Sequence, residues 1–361
     1  MATALEVGLA GRAYPIHIGA EVLGGVRDAV NFLRARNRPV ALLADTKVAR
    51  LHRDAFDQTF ENVPSIGLEG GETTKSLQAL GRVYDFLAEA GIDRTGALFV
   101  VGGGVIGDLG GFAAATYLRG IDFHQVPTTL LAMVDSSVGG KTGINIAAGK
   151  NLVGSFHQPR AVHIASDFLQ TLPVREFNAG MAEVIKYGML ADAELFERLG
   201  RTSWSAPTPG LEDIIHRCCE IKADIVRADE REEASSGGRA LLNLGHTFAH
   251  AIEQTAGYGE YLHGEAVGVG LVMAADVSRQ QGAISDNDLE TVRDLVETTG
   301  LPVSLHSPLP VDALVAAMKR DKKVRAGRLR LVLLERIGQA VTRDGADEAE
   351  LRELWRKYGA H

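Results

Sequence analysis

Short apolar runs at 40–44, 97–101, 123–126 and 161–164 punctuate the first half of the chain, each separated from the next by stretches of helical periodicity. This alternation is the signature of βαβ units and predicts an α/β domain over 1–172. Beyond Leu172 and Pro173 the β-type runs fade. Helical patterns take over at 179–190, 211–229, 241–255 and 265–281, which predicts a second, helical domain over 173–361. A late apolar run at 329–334, after the basic run 319–323, reads as a strand or hairpin added to that domain. Proline pairs at 207–209 and 308–310 read as helix connections.

The length of 361 residues suits two domains with a core each, and the 41 glycines call for many tight turns. A net charge of -8 argues against nucleic acid as a partner, so any phosphate site must be a local pocket of cations. Cys218 and Cys219 are adjacent within a predicted helix, an arrangement that suits neither a disulfide nor a CxxC knuckle. A reducing, cytoplasmic setting is the expectation. No segment approaches the roughly 18 apolar residues of a membrane span, and the first residues lack the pattern of a signal peptide, so neither membrane nor secretion is expected.

Candidate chemistry begins at Gly102-Gly103-Gly104-Val105-Ile106-Gly107-Asp108. Gly102, Gly104 and Gly107 satisfy G-x-G-x-x-G after an apolar strand pattern and before a helical run at 108–118, where backbone N–H groups and the helix dipole favour a pyrophosphate. The same spacing also suits a purely structural turn. Asp45, at the end of an earlier strand, and the stretch from Glu72 to Lys75 are candidate nucleotide contacts or plain surface residues.

A second constellation has the residue types that ligate zinc. His246 and His250 lie four apart, so a helix would set both imidazoles, with Asn243, on one face. Thr247 follows the first histidine where a glutamate would stand in HExxH, so that protease mechanism has no base. His263 stands at a helix start, and Glu183 and Lys186 share a helix face. Two imidazoles and one carboxylate leave coordination positions open, as at catalytic zinc; the residues alone leave open whether His246 or His250 is a ligand. A nicotinamide cofactor beside a Lewis acid points to carbinol redox chemistry. Between and after these motifs lie glycine- and lysine-bearing blocks at 127–143 and 149–154. Lys141, Lys150, Lys186, Lys222, Arg239 and Lys322 exceed what a neutral alcohol needs, and they point to an anionic substrate.

With these blocks together, and with Tyr117-Leu118-Arg119-Gly120, 180–186, 241–253 and 263–267 added, the chain resembles the 3-dehydroquinate synthase family of sugar phosphate cyclases along nearly its whole length. The resemblance implies an α/β N-terminal Rossmann-like domain plus an all-α C-terminal metal-binding domain, an active site in the cleft, and a homodimer. Carried onto matching positions, it implies zinc, or cobalt, on Glu183, His246 and His263. Around NAD it implies Asp45, Glu72, Lys75, Gly102, Gly103, Gly104, Asp108, Thr128, Thr129, Asp135, Lys141, Lys150, Phe168 and Thr171. Around a phosphorylated sugar acid it implies Asp135, Lys141, Asn151, Lys186, Lys222, Arg239, Asn243, His250 and Lys322 or its neighbour Lys323, with Arg119 reaching the other subunit's phosphate pocket. The segment 229–239 is longer than the family's usual form. The implied reaction converts 3-deoxy-D-arabino-heptulosonate 7-phosphate to 3-dehydroquinate and phosphate, by transient NAD-dependent oxidation at C5, β-elimination, re-reduction and intramolecular aldol closure. A related sugar phosphate cyclase, a metal-dependent polyol dehydrogenase and a non-catalytic metal-binding protein are the competing readings.

Overall fold

The computed structural model describes residues 3–234, 237–257, 259–321, 324–325, 328–344 and 346–361; Lys322 and Lys323 lie outside them. The chain divides into two compact units, Met1–Leu172 with Ala206–Arg227, and Pro173–Ser205 with Ala228–His361.

The first unit is built on β1 (Thr3–Val7), β2 (Tyr14–Ile18), β3 (Val40–Asp45), β4 (Ser65–Leu68), β5 (Ala97–Gly102), β6 (Asp122–Pro127), β7 (Lys141–Ile146), β8 (Gly149–Phe156) and β9 (Ala161–Ile164). Seven of these make one sheet in the order β1-β2-β9-β6-β5-β3-β4, parallel throughout except for β1. Every residue of β3 and β5 is buried, which is why these strands read as unbroken apolar runs with no polar alternation. Helices α1 (Val22–Arg34), α2 (Thr46–Leu51), α3 (Arg53–Thr59), α4 (Leu77–Glu89) and α5 (Gly104–Thr116) connect them. Leu43, Val100, Ile106, Leu109 and Phe123 belong to one continuous core. After β3 the chain adds β4 outside it and then returns to the other side with β5. The carboxyl ends of β3 and β5, carrying Asp45 and Gly102, therefore flank the point where strand order reverses, the usual place for a ligand in an open α/β sheet.

The glycine- and lysine-bearing blocks at 127–143 and 149–154 carry the remaining strands of the first unit. Residues Ala132–Ser136 make a π-type turn, and β7 and β8 pair as an antiparallel hairpin. A side chain on Gly154 would stand 2.2 Å from the Thr142 carbonyl oxygen, so glycine there lets the strands close up.

In the second unit, α6 (Val174–Ala191) and α7 (Ala193–Gly200) come first, and α8 (Leu211–Ala228) returns to the first unit. Then α9 (His246–Ala256), α10 (His263–Gln280), α11 (Asp286–Thr298), α12 (Val311–Asp321) and α13 (Glu348–Lys357) complete the helical array. The hairpin expected near 329–334 is present as β11 (Arg328–Arg336) and β12 (Gln339–Asp344), joined by the short β10 (Val324–Arg325) in a three-stranded antiparallel sheet. Among the described residues, no helix is long and apolar enough to cross a membrane.

Helix α8 sits differently from the sequence-based division at 172, which gave it to the helical domain. Its buried face includes Ile214, Ile215, Cys218 and Cys219. The Cys219 thiol donates to the Met133 carbonyl at 3.3 Å, and Ser166 donates to Glu212 at 2.5 Å. A helical pattern shows which face is apolar, but not which unit that face covers. Both cysteines are buried, and burial pushes the Cys219 thiol up to about 12, which removes it as a nucleophile near neutral pH.

Candidate functional site

In the first unit, the glycine turn opens α5 directly: the helix begins at Gly104, four residues before the sequence pattern starts it, with Gly104 and Gly107 in its first turn and Gly103 as its N-cap. None of the three motif glycines needs a left-handed backbone. They answer to crowding, since a side chain on Gly102 would meet Ile106 at 2.7 Å and one on Gly107 would meet the Gln125 amide at 2.3 Å. Around the turn stand Thr128, whose N–H donates to the Gly102 carbonyl at 3.0 Å, Thr129, and Ser136 beside Gly104. Among the described residues, the buried hydroxyls of Thr128 and Ser136 find no hydrogen-bond partner. Unsatisfied hydroxyls at a helix N-terminus on the switch point are the donor set a dinucleotide would use.

Beside them, the Lys75 ammonium donates to Asp108 at 2.7 Å and to the Asn151 amide oxygen at 2.5 Å. The Asn145 amide donates to Glu72 at 2.7 Å and, through its oxygen, accepts the Asn151 N–H at 2.9 Å. Asn145 was not singled out from sequence, because its role comes from the hairpin that brings it to Glu72. Asp45 accepts the N–H groups of Lys47 and Val48 and so caps α2. Phe168 is buried against His52, whose ring nitrogen lies 2.6 Å from the Thr171 hydroxyl. Lys222, nearly buried, donates to the carboxylate and the carbonyl of Asp135 at 2.7 and 2.6 Å. Lys141 and Arg119 are exposed and Lys150 is half-buried; Leu118 and Arg119 both take positive φ, 51° and 69°.

In the second unit, Glu183, His246 and His263 offer one ligand atom each, all within 4.8 Å of one another. Each comes from a different helix. Glu183 lies inside α6, while His246 and His263 are the first residues of α9 and α10. The expected single helix over 241–255 is therefore broken: Gly245 takes a left-handed conformation, φ 77°, and residues Gly238–Asn243 form a 3-10 turn. Asn243 consequently does not share a helix face with His246, and His250, whose ring packs edge-on to His246 at 5.7 Å, stays outside the ligand cluster. Close helix packing sets the geometry. A side chain on Gly264 would lie 1.8 Å from the Ala179 carbonyl oxygen, and one on Gly270 would lie 2.2 Å from that of Gly245. Arg175 grips Glu265 with two bonds of 2.6 and 2.8 Å, which ties α6 to the first turn of α10.

Nε2 of His246 and Nε2 of His263 approach the same Glu183 oxygen at 3.4 and 3.2 Å. Lys186, one helical turn on and 1% exposed, pairs with the other oxygen. Burial alone would raise the Glu183 pKa, but the Lys186 ammonium and the His246 imidazole hold it well below the usual carboxylate range. Burial lowers His246, and Lys186 adds to that shift. Both Glu183 oxygens are buried, and among the described residues neither accepts a well-formed hydrogen bond. A carboxylate and two imidazole nitrogens converging in this way fit a divalent cation with open positions.

Arg239, 2% exposed, is held by a loop organised on one carboxylate. Asp229 accepts N–H bonds from Glu233 at 2.9 Å, Ala234 at 3.3 Å and Arg239 at 3.1 Å, while the Arg239 guanidinium donates to the Glu230 carbonyl at 2.9 Å. Lys322, expected beside the substrate, falls outside the described residues.

Profiles of two families match consecutive parts of the chain: 3-dehydroquinate synthase N-terminal over residues 65–179, and 3-dehydroquinate synthase C-terminal over 180–324. Among solved structures, 2-deoxy-scyllo-inosose synthase complexed with carbaglucose-6-phosphate, NAD+ and Co2+ superposes with a TM-score of 0.85 at 24% identity, covering 99% of this chain and 100% of that one. The 2-epi-5-epi-valiolone synthase of Streptomyces hygroscopicus, with NAD+ and Zn2+ bound, gives a TM-score of 0.82 at 27% identity over 89% of this chain and 90% of its own. The fold is thus that of the sugar phosphate cyclases. A 3-dehydroquinate synthase of Opitutus terrae is 55% identical over 360 residues, 100% of each chain, and the present chain belongs to the 3-dehydroquinate synthase family.

Proposed function

We propose that this chain is a 3-dehydroquinate synthase, a phosphate lyase that converts 3-deoxy-D-arabino-heptulosonate 7-phosphate to 3-dehydroquinate and phosphate. The observation that carries the reading is the convergence of Glu183, His246 and His263 in a chain 55% identical, end to end, to a synthase of that name. When bound, NAD supplies a hydride acceptor and then a donor, and a divalent zinc or cobalt ion supplies a Lewis acid that lowers the pKa of a substrate hydroxyl. The first unit would hold NAD at the glycine turn, with Thr128, Thr129, Asp108 and Lys75 around it. Glu183, His246 and His263 would hold the ion.

The protein's own part is electrostatic. Oxidation at C5 makes the C6 proton acidic, and phosphate then leaves by β-elimination; the departing phosphate takes that proton, so this step needs no dedicated side-chain base. Lys141, Lys150, Lys186, Lys222 and Arg239 would bind the substrate's carboxylate and phosphate, and Asn151, Asn243 and His250 its hydroxyls. Lys186 and Lys222 are already oriented by Glu183 and Asp135, so the cations need little reorganisation as negative charge develops. Hydride return and aldol closure complete a cycle with no net redox change. We also infer a homodimer, in which Arg119 reaches the phosphate pocket of the other copy, and a cytoplasmic setting.

Incubating the protein with the heptulosonate phosphate, NAD and zinc tests the reading. One phosphate released per substrate with no accumulation of NADH is the expected result. Persistent NADH would make the protein a polyol dehydrogenase, and phosphate release from glucose 6-phosphate or sedoheptulose 7-phosphate alone would make it a related cyclase.

A further inference from the structure

We propose that Glu253 is the positioning carboxylate of the metal centre, holding Nδ1 of His263 so that Nε2 is presented to the ion; this rests on reading Glu183, His246 and His263 as the ligands. The two imidazoles are held in parallel ways. Each turns Nε2 toward the same oxygen of Glu183, and each has its Nδ1 facing an acceptor. For His246 the acceptor is the Leu244 carbonyl at 3.1 Å; for His263 it is a Glu253 carboxylate oxygen at 3.6 Å. A proton on Nδ1 leaves the lone pair on Nε2, so these acceptors select the ligating tautomer.

The difference between the two acceptors follows from burial. His246 is 8% exposed and packed on all sides, so a neutral carbonyl suffices to orient it. The His263 side chain is one-third exposed and is not fixed by packing alone, whereas the Glu253 side chain is 12% exposed and stands on α9, two turns beyond His246 on the same face. A rigid helix that supplies one ligand therefore also orients the next one, across a gap that a small closure on metal loading would turn into a charge-assisted hydrogen bond.

The test uses the whole chain, stripped of metal and titrated with Zn2+ or Co2+ against a chromogenic chelator. Glu253→Ala is expected to weaken metal binding by about 10- to 100-fold, as loss of such an outer carboxylate generally does. Glu253→Gln, which keeps an acceptor but loses the charge, is expected to recover part of that loss and serves as the decisive variant if the alanine form does not fold. The Co2+ visible bands are expected to shift in both, with the metal-free melting temperature unchanged. Metal affinity within about twofold of the unsubstituted protein in the Gln variant, with unshifted Co2+ bands, overturns the role of Glu253. Equal binding by Glu183→Gln and the unsubstituted protein would instead overturn the metal site itself, and the Glu253 role with it.

Discussion

Position 245 has no room for a side chain. Its backbone is left-handed, φ 77°, and a Cβ there would stand 2.8 Å from the Leu271 amide nitrogen. Gly245→Ala therefore combines backbone strain with a backbone clash, and we expect it to cost about 1–3 kcal/mol and to move His246 away from Glu183. A fall of several degrees in melting temperature together with weaker Zn2+ binding would bear this out, and a variant equal to the parent in both would refute it. This residue also marks the limit of what the sequence could disclose. The spacing of His246 and His250 correctly announces one helix face, but only the left-handed glycine reveals that the helix starts at His246 and that Asn243 precedes it. Choosing between the two imidazoles required knowing where His263 and Glu183 come to rest. Glu253 gave no signal at all, since its significance lies in its distance from a ring on another helix.

The segment 229–239 becomes intelligible as an element because Asp229 gathers three of its N–H groups, among them that of Arg239. Gly238 belongs to the same arrangement: its φ is 56°, and a Cβ would lie 2.4 Å from an Asp229 oxygen. Asp229→Ala removes the acceptor without touching the guanidinium. We expect KM for the phosphorylated sugar acid to rise about tenfold with kcat less affected, because one misplaced binding group costs roughly 1.4 kcal/mol per tenfold. An unchanged KM would mean that the loop orders itself by other means. Element types were largely legible, since β3 and β5 are unbroken apolar runs and α6 and α10 follow helical patterns. The β7–β8 hairpin was not: its glycines and lysines resemble a loop in sequence, and its stability comes from the close approach of Gly143 and Gly154 and from the Asn145–Glu72 bond.

Within the first unit, a row of rings crosses four neighbouring strands, β2, β9, β6 and β5. His17, His163 and His124 stack at 5.4 and 5.5 Å, and His124 continues onto Phe99 at 4.5 Å. Burial lowers His124 to about 4 and His163 to about 3, while each would titrate near 6.5 in the unfolded chain. Between those values the unfolded state binds more protons than the folded one, so this contribution to stability is intact above about pH 6.5 and declines as the pH falls toward 4 and then 3, by up to about 1.4 kcal/mol per pH unit for each group. Denaturant midpoints measured from pH 8 to pH 4 are expected to fall less steeply in His163→Leu than in the parent; parallel profiles would remove the stack as a cause.

The return of α8 to the first unit has its own consequence for the chain as a covalent object. The polypeptide passes from one unit to the other after Leu172, after Ser205 and again after Arg227, so neither unit is a single uninterrupted stretch. A chain severed after Leu172 would forfeit the helix that bears Lys222 and uncover the surface around Met133, and the remainder would carry that helix as an orphan. Gene fusion, domain exchange or piecewise expression of this protein must therefore respect a three-stitch seam, and the two halves are inherited together or not at all.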